Sequence, residues 1–218
     1  NDTGGTGELT VSGLGSRMDL TGKNSSGSRA ALVIGDEGAG TLNINNGGVV
    51  EVNGDLEPGR GSVINLGGSL NTTQATGNGI ANVDGAGSEL RLSSGEVALF
   101  QVGRFGNGTL NVTNGGSVVV VDPDKQAQFR IGRVSTATGV VNVDGGSSSA
   151  DAGRSTRVGI SGNGTLNVTN GGTFESTEFA TASGTGSTGN VNVSGPGSTL
   201  NLLGVDGQGD AAVALVGL

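Results

Sequence analysis

The chain has 218 residues, 46 of them glycine; its aromatic content is 2%, all phenylalanine, and it has no cysteine or histidine. A net charge of −8 and a sequence pI near 4.4 disfavour nucleic acid, whose phosphates require a basic stripe, and an anionic membrane surface. The missing cysteines and histidines exclude a disulfide framework, thiolate or imidazole metal sites and a Ser-His-Asp triad.

The predicted elements follow one pattern from end to end. A unit opens with GELTVSGLGS at Gly7, and a short apolar strand, ALVIG, closes on Gly35. The next opens with GTLNINNGG at Gly40, continues through a strand at 49–52 and closes near Gly67. The third opens with GIANVDGAGS at Gly79, continues at 88–92 and closes with LFQVG on Gly103. GTLNVTNGG opens the fourth at Gly108, followed by 118–121 and by QFRIG on Gly132. GVVNVDGGSS opens the fifth at Gly139, and TRVG closes it on Gly159. GTLNVTNGG returns at Gly164, with a poorly apolar third segment, FATAS, closing on Gly184. GNVNVSGPGS opens the seventh at Gly189; a strand at 199–202 and ALVGL end the chain. Two types of opening therefore alternate without exception. The openings at 7, 40, 79, 108, 139, 164 and 189 are 33, 39, 29, 31, 25 and 25 residues apart. The shortest spacing is the bare unit, and the longer ones carry insertions.

Period-two alternation over four or five residues reads as a half-buried strand. Three strands and three glycine corners in a bare unit describe one coil of a three-sided parallel β-helix. A propeller blade would need four strands and a longer repeat. A solenoid coil buries its apolar face only by stacking on the next. The fold class is thus all-β, a parallel β-helix of about seven or more coils, with residues 1–218 expected to be a single segment of a longer array or to reach its last rung. Leu42/Ile44, Ile80/Val83, Leu110/Val112, Val141/Val143, Leu166/Val168 and Val191/Val193 are expected inside, with Ala81 leaving the Gly79 register open. Phe100 and Phe129, each three residues before a closing glycine, are expected to stack. Glycines serve corners that need positive φ or leave no room for Cβ. No apolar run is long enough to span a membrane, and targeting segments are expected outside these residues.

Two groups of side chains stand out as candidate binding residues. Asn43, Asn82, Asn111, Asn142, Asn167 and Asn192 occupy the fourth position of six openings, with Thr10 in the first. Stacked at the inter-strand spacing, their amides can bond along the rod as an asparagine ladder, or offer a polar strip to another copy or a glycan. Arg130 and Arg157 lie two residues before closing glycines, and Arg104 and Arg133 just after them. The four make a basic patch that reads either as solubilising charge or as a dock for an acidic polysaccharide or an acidic face. Glu51, Asp55 and Glu57 could supply such a face. Catalysis is left with carboxylates alone. Asp122 and Asp124 around Pro123, with Lys125, read as a solvated turn, and Asp36 with Glu37 as a corner too sparse to cage calcium. No metal or cofactor is expected.

The pattern VG-x-x-GNGTLNVTNGG, present as VGRFGNGTLNVTNGG and VGISGNGTLNVTNGG, resembles repeats of bacterial type V autotransporter passenger domains. Similar repeats occur in other bacterial surface proteins. The resemblance covers all seven units and implies a right-handed β-helix displayed outside a Gram-negative cell by an outer-membrane barrel. It implies adhesion, self-association or biofilm formation, with partners among other copies, surface glycans or host matrix. The matching positions are scaffold positions, so it assigns no binding residue. The chain is expected not to be an enzyme. The alternative is a β-helix that binds or degrades polysaccharide, against which the scarcity of aromatic rings counts.

Overall fold

The structure is a computed structural model that describes residues 4–22, 30–54, 61–69, 77–94, 97–121, 126–204 and 212–217. The first coil carries β1 (Thr6–Ser12), β2 (Arg17–Thr21) and β3 (Ala31–Ile34), and the second β4 (Ala39–Asn45), β5 (Val49–Gly54) and β6 (Val63–Leu66). The third has β7 (Asn78–Asp84), β8 (Glu89–Ser94) and β9 (Leu99–Val102). The fourth has β10 (Asn107–Thr113), β11 (Ser117–Val121) and β12 (Gln128–Ile131). The fifth has β13 (Thr138–Asp144), β14 (Ser149–Asp151) and β15 (Ser155–Val158). The sixth has β16 (Asn163–Thr169), β17 (Thr173–Ser176) and β18 (Glu178–Thr181), and the seventh β19 (Thr188–Ser194), β20 (Thr199–Leu202) and β21 (Val213–Val216).

Every third strand joins the same sheet. Three parallel seven-stranded sheets result, from β1 to β19, from β2 to β20 and from β3 to β21, and they form a three-sided parallel β-helix. At about 4.8 Å per coil, seven coils make a rod roughly 35 Å long. The opening glycines set the register of the first sheet: Gly7, Gly40, Gly79, Gly108, Gly139, Gly164 and Gly189 pair in one unbroken column. Positions two and four residues after each glycine point inward. Leu42, Ile44, Leu110, Val112, Val141, Val143, Leu166 and Val168 are all fully buried.

The same register decides the ambiguous Gly79 copy against expectation. Ala81 pairs with Leu42 and Leu110 and is buried, while Ile80 pairs with Thr41 and Thr109 and faces out, 39% exposed. Neighbouring strands fix the alternation, so the larger side chain is left outside. Val193 in the last coil is 42% exposed, because that coil is covered on one side only. The sixth coil closes on Ala182, not Gly184. Thr181 pairs with Val158, which brings Ala182 level with Gly159, and Ala182 takes a φ of +49°. It holds the left-handed corner that glycine holds elsewhere.

Phe100 and Phe129 stack with ring centroids 4.7 Å apart and planes inclined by 15°. The third-sheet column then changes size, with Thr156 beside Phe129 and Phe179 beyond it. Phe174, from the second sheet of the sixth coil, fills the space left by Ala150 and Thr156 and meets Phe129 edge-on at 5.7 Å. The buried Thr156 hydroxyl donates to Ser176 Oγ at 2.9 Å, so the one polar inward residue of that strand is satisfied.

Corner chemistry explains why two unit types alternate. In the first type, Asn46, Asn114 and Asn170 take left-handed φ values of 54°, 53° and 53°, a conformation asparagine tolerates. The second type contributes Asp84 and Asp144 at the end of its opening strand. The Asp84 carboxylate accepts from Thr113 and Asn114 of the following coil, both at 2.6 Å. Asp144 does the same with Thr169 and Asn170, again at 2.6 Å. Serines of the second type grip the preceding coil: the Gly47, Gly115 and Gly171 amides donate to Ser88, Ser148 and Ser198 Oγ at 3.1, 3.0 and 3.0 Å. A first-type corner thus finds side-chain acceptors in the second-type neighbours on both sides.

Candidate functional site

The asparagine column lies along the outer side of the first sheet. Asn82, Asn111, Asn142 and Asn167 each donate through Nδ2 to Oδ1 of the asparagine one coil earlier, every bond at 2.8 Å. The ladder therefore has a direction. At its start Asn43 donates to Glu8 Oε1 at 2.7 Å, although the backbone register sets Thr10 opposite Asn43. A carboxylate accepts without donating, which makes Glu8 the natural terminus. Asn192 continues the column in register with Asn167 and is exposed. Asn111, Asn142 and Asn167 are half-buried and bonded to one another, so this strip is first a coil-to-coil clamp.

The arginines occupy a different side. Arg130 on β12 pairs in register with Arg157 on β15 and with Gln101 on β9. Arg104 and Arg133 occupy equivalent positions just after the closing glycines of the third and fourth coils. The asparagine column and the arginine cluster lie on the first and third sheets, so they do not form one site.

Neutral groups hold the cluster in place. Arg130 donates to Gln128 Oε1, and Arg133 to Gln101 Oε1 at 3.3 Å. Arg104 donates to the Ser69 carbonyl at 2.6 Å and lies 4.8 Å over the Phe105 ring, a cation–π contact. Among the described residues, Arg130, Arg133 and Arg157 make no ion pair. Burial first, and then the charges of Arg133, Arg157 and Arg104, hold the Arg130 guanidinium down to about 10.

Other arginines behave differently. Arg17 bonds Asp19 at 2.6 Å and Glu51; Arg91 bonds Glu89 at 3.2 Å and approaches Glu51 at 3.8 Å. Arg154 bonds Glu178 at 2.9 Å. Glu51 is therefore occupied within the rod; Asp55 and Glu57 lie outside the described residues, as do residues 122–125 of the suspected turn.

Beside the cluster lies a cleft of about 270 Å³ lined by Gln126, Gln128, Arg130, Arg154, Ser155, Arg157 and Glu178, with Ala127 at its floor. A larger hollow of about 480 Å³ sits between the first two coils and includes Asp36 and Glu37. Among the described residues no three potential metal ligands come together. The sequence located all four arginines. It missed the glutamines that hold them and the Arg154–Glu178 wall; the only sequence signal was a polar residue recurring two before the closing glycine, as Gln101 and Arg130 do.

Fold and site together define a β-solenoid with a cationic face on an acidic rod. No family model matches the chain, and neither a curated protein nor a solved structure matches it.

Proposed function

We propose that the chain is a stiff adhesive rod of a bacterial cell surface, a passenger segment of the autotransporter type carried to a Gram-negative outer membrane by a translocator. It works by repeated weak contacts with other copies, surface glycans or host matrix, and it is not an enzyme. The observation that carries the reading is the arginine cluster: three cations that make no ion pair among the described residues, on a chain of net charge −8. The resemblance of the GNGTLNVTNGG repeats to passenger domains supports the placement. Many small contacts on an array give large avidity. Against hydrolysis stands the cleft itself. Its one described carboxylate, Glu178, is clamped by Arg154, whereas glycoside hydrolysis in most families needs a pair of carboxyl groups across the bond.

Beads coated with the purified chain test this. Coated beads are expected to clump with one another or with glycan-bearing cells, and Arg130→Glu with Arg157→Glu is expected to reduce the binding to glycan-bearing cells. The same preparation is expected to release no products from acidic polysaccharides. Absence of clumping and of cell binding, or product release abolished by a carboxylate substitution, would overturn the reading.

A further inference from the structure

We propose that Arg130, Arg133 and Arg157 form a preorganised track for a linear acidic polysaccharide that lies along the rod axis. Its anionic groups sit on the guanidiniums and its hydroxyls face the adjoining cleft. The inference rests on the surface-rod reading above and names the ligand class of that site.

The first argument is spacing. Arg130 and Arg157 are register partners on adjacent coils, about 4.8 Å apart along the axis. A pyranose unit is of comparable length, so a chain running along the axis can present one substituent per coil. The second argument is how the cations are held. Gln128 and Gln101 accept from Arg130 and Arg133 without neutralising them. Arg17 and Arg91 elsewhere on the rod, and Arg154 in the adjoining cleft, face carboxylates. Clustering like charges costs stability, and the glutamine bonds hold the half-buried Arg130 and Arg133 forks, beside the exposed Arg157, for bidentate anion contacts. Burial first, and then the neighbouring guanidiniums, lower the Arg130 proton affinity.

The third argument is the neighbouring cleft. Gln126, Gln128 and Ser155 give it neutral donors and acceptors, and the Arg154–Glu178 pair forms one wall. That mixture suits hydroxyls beside a charge. Judged by the described carboxylates, a second copy of the chain is the weaker occupant. Asp19, Glu51, Glu89 and Glu178 are ion-paired within the rod, and Asp84 and Asp144 hold Thr and Asn donors of the next coil.

Calorimetric titration of the purified chain with sulfated oligosaccharides cut from heparin, and in parallel with galacturonate oligomers, tests the track. Binding to at least one set is expected, weakening between about 50 and about 200 mM salt. Which set binds identifies the anionic group. Arg130→Gln with Arg157→Gln is expected to lose about tenfold or more in affinity, with an unchanged or higher melting temperature. Glu178→Gln, which removes the carboxylate from the cleft wall, is expected to tighten binding, and Arg17→Gln to leave it unchanged. Equal affinity in the double variant, equal binding of a DNA oligomer, or no binding of either set would overturn the proposal. So would arginine-dependent dimers in sedimentation without added glycan, which would assign the face to a second copy. Beads that clump independently of the arginines while no oligosaccharide binds would remove the track and leave the adhesive rod standing.

Discussion

A Cβ built on Gly108 would overlap the Gly103 amide nitrogen and the Leu66 carbonyl oxygen. The opening glycine is therefore required by close approach, since its φ is not positive. Gly7 holds the same motif position in the first coil, and a Cβ there would meet nothing within 4 Å. The same letter thus has two energetic meanings. Gly108→Ala is expected to cost about 3 kcal/mol or more, at the upper end for overpacking, and Gly7→Ala to stay within about 0.5 kcal/mol. Urea melts of the two variants check this; similar costs would show that the column works through chain entropy instead. The residue scale also shows what a single sequence conveys. Position two after an opening glycine is inward wherever one apolar residue marks it, as at Leu110. In GIANV two adjacent apolar residues, Ile80 and Ala81, compete, and only the neighbouring strands choose between them. Ala182 was hidden for a related reason: an alanine in a left-handed corner carries no composition signal, so Gly184 looked like the close.

Between elements, strand pairing supplies the backbone bonds and the corners supply discrimination between neighbours. Asp144 is the clearest case. Bonds from Thr169 and then Asn170 pull its carboxyl below the ordinary range, against a smaller opposing contribution from burial. A carboxyl whose folded pKa is depressed stabilises the fold above its unfolded value, about 3.9. That contribution is lost as pH falls through the lower folded value. Asp144→Asn is therefore expected to be less stable than the native chain near neutrality. The gap should close as pH drops from about 4 toward about 2. Thermal melts across that range read it directly, and a gap independent of pH would mean that geometry rather than ionisation holds the corner. The alternation of NGG corners with corners that open on Ser-Gly or Asp-Gly was visible in the sequence, and its cause was not. The partners sit one coil apart, at separations set by insertion length. The arginine cluster was legible because each member keeps a fixed offset from a closing glycine. Its glutamine holders were not, because side-chain bonds across coils depend on which way each head turns.

For the whole rod, the two-way complementarity of the corners makes a pair of coils the true repeat. The core agrees. Small residues in the fifth coil, Ala150 and Thr156, face large ones in the sixth, Phe174 and Phe179. Removing residues 139–188 would join the fourth coil to the seventh, first type to second, with Leu200 and Ala214 falling over Val118 and Phe129. Removing residues 139–163 would join two first-type coils. Thr113 and Asn114 would face Thr169 and Asn170 with no carboxylate between them, and Phe179 and Phe174 would crowd Phe129. A solenoid gains its stability from intrinsic and nearest-neighbour contributions. The two-coil deletion should thus keep a cooperative melt at a modestly lower temperature, while the longer chain with one coil removed should melt lower still or lose cooperativity. Far-UV circular dichroism with thermal melting compares them. If the one-coil deletion proves the more stable, corner pairing does not govern the stacking, and the alternation would need another cause.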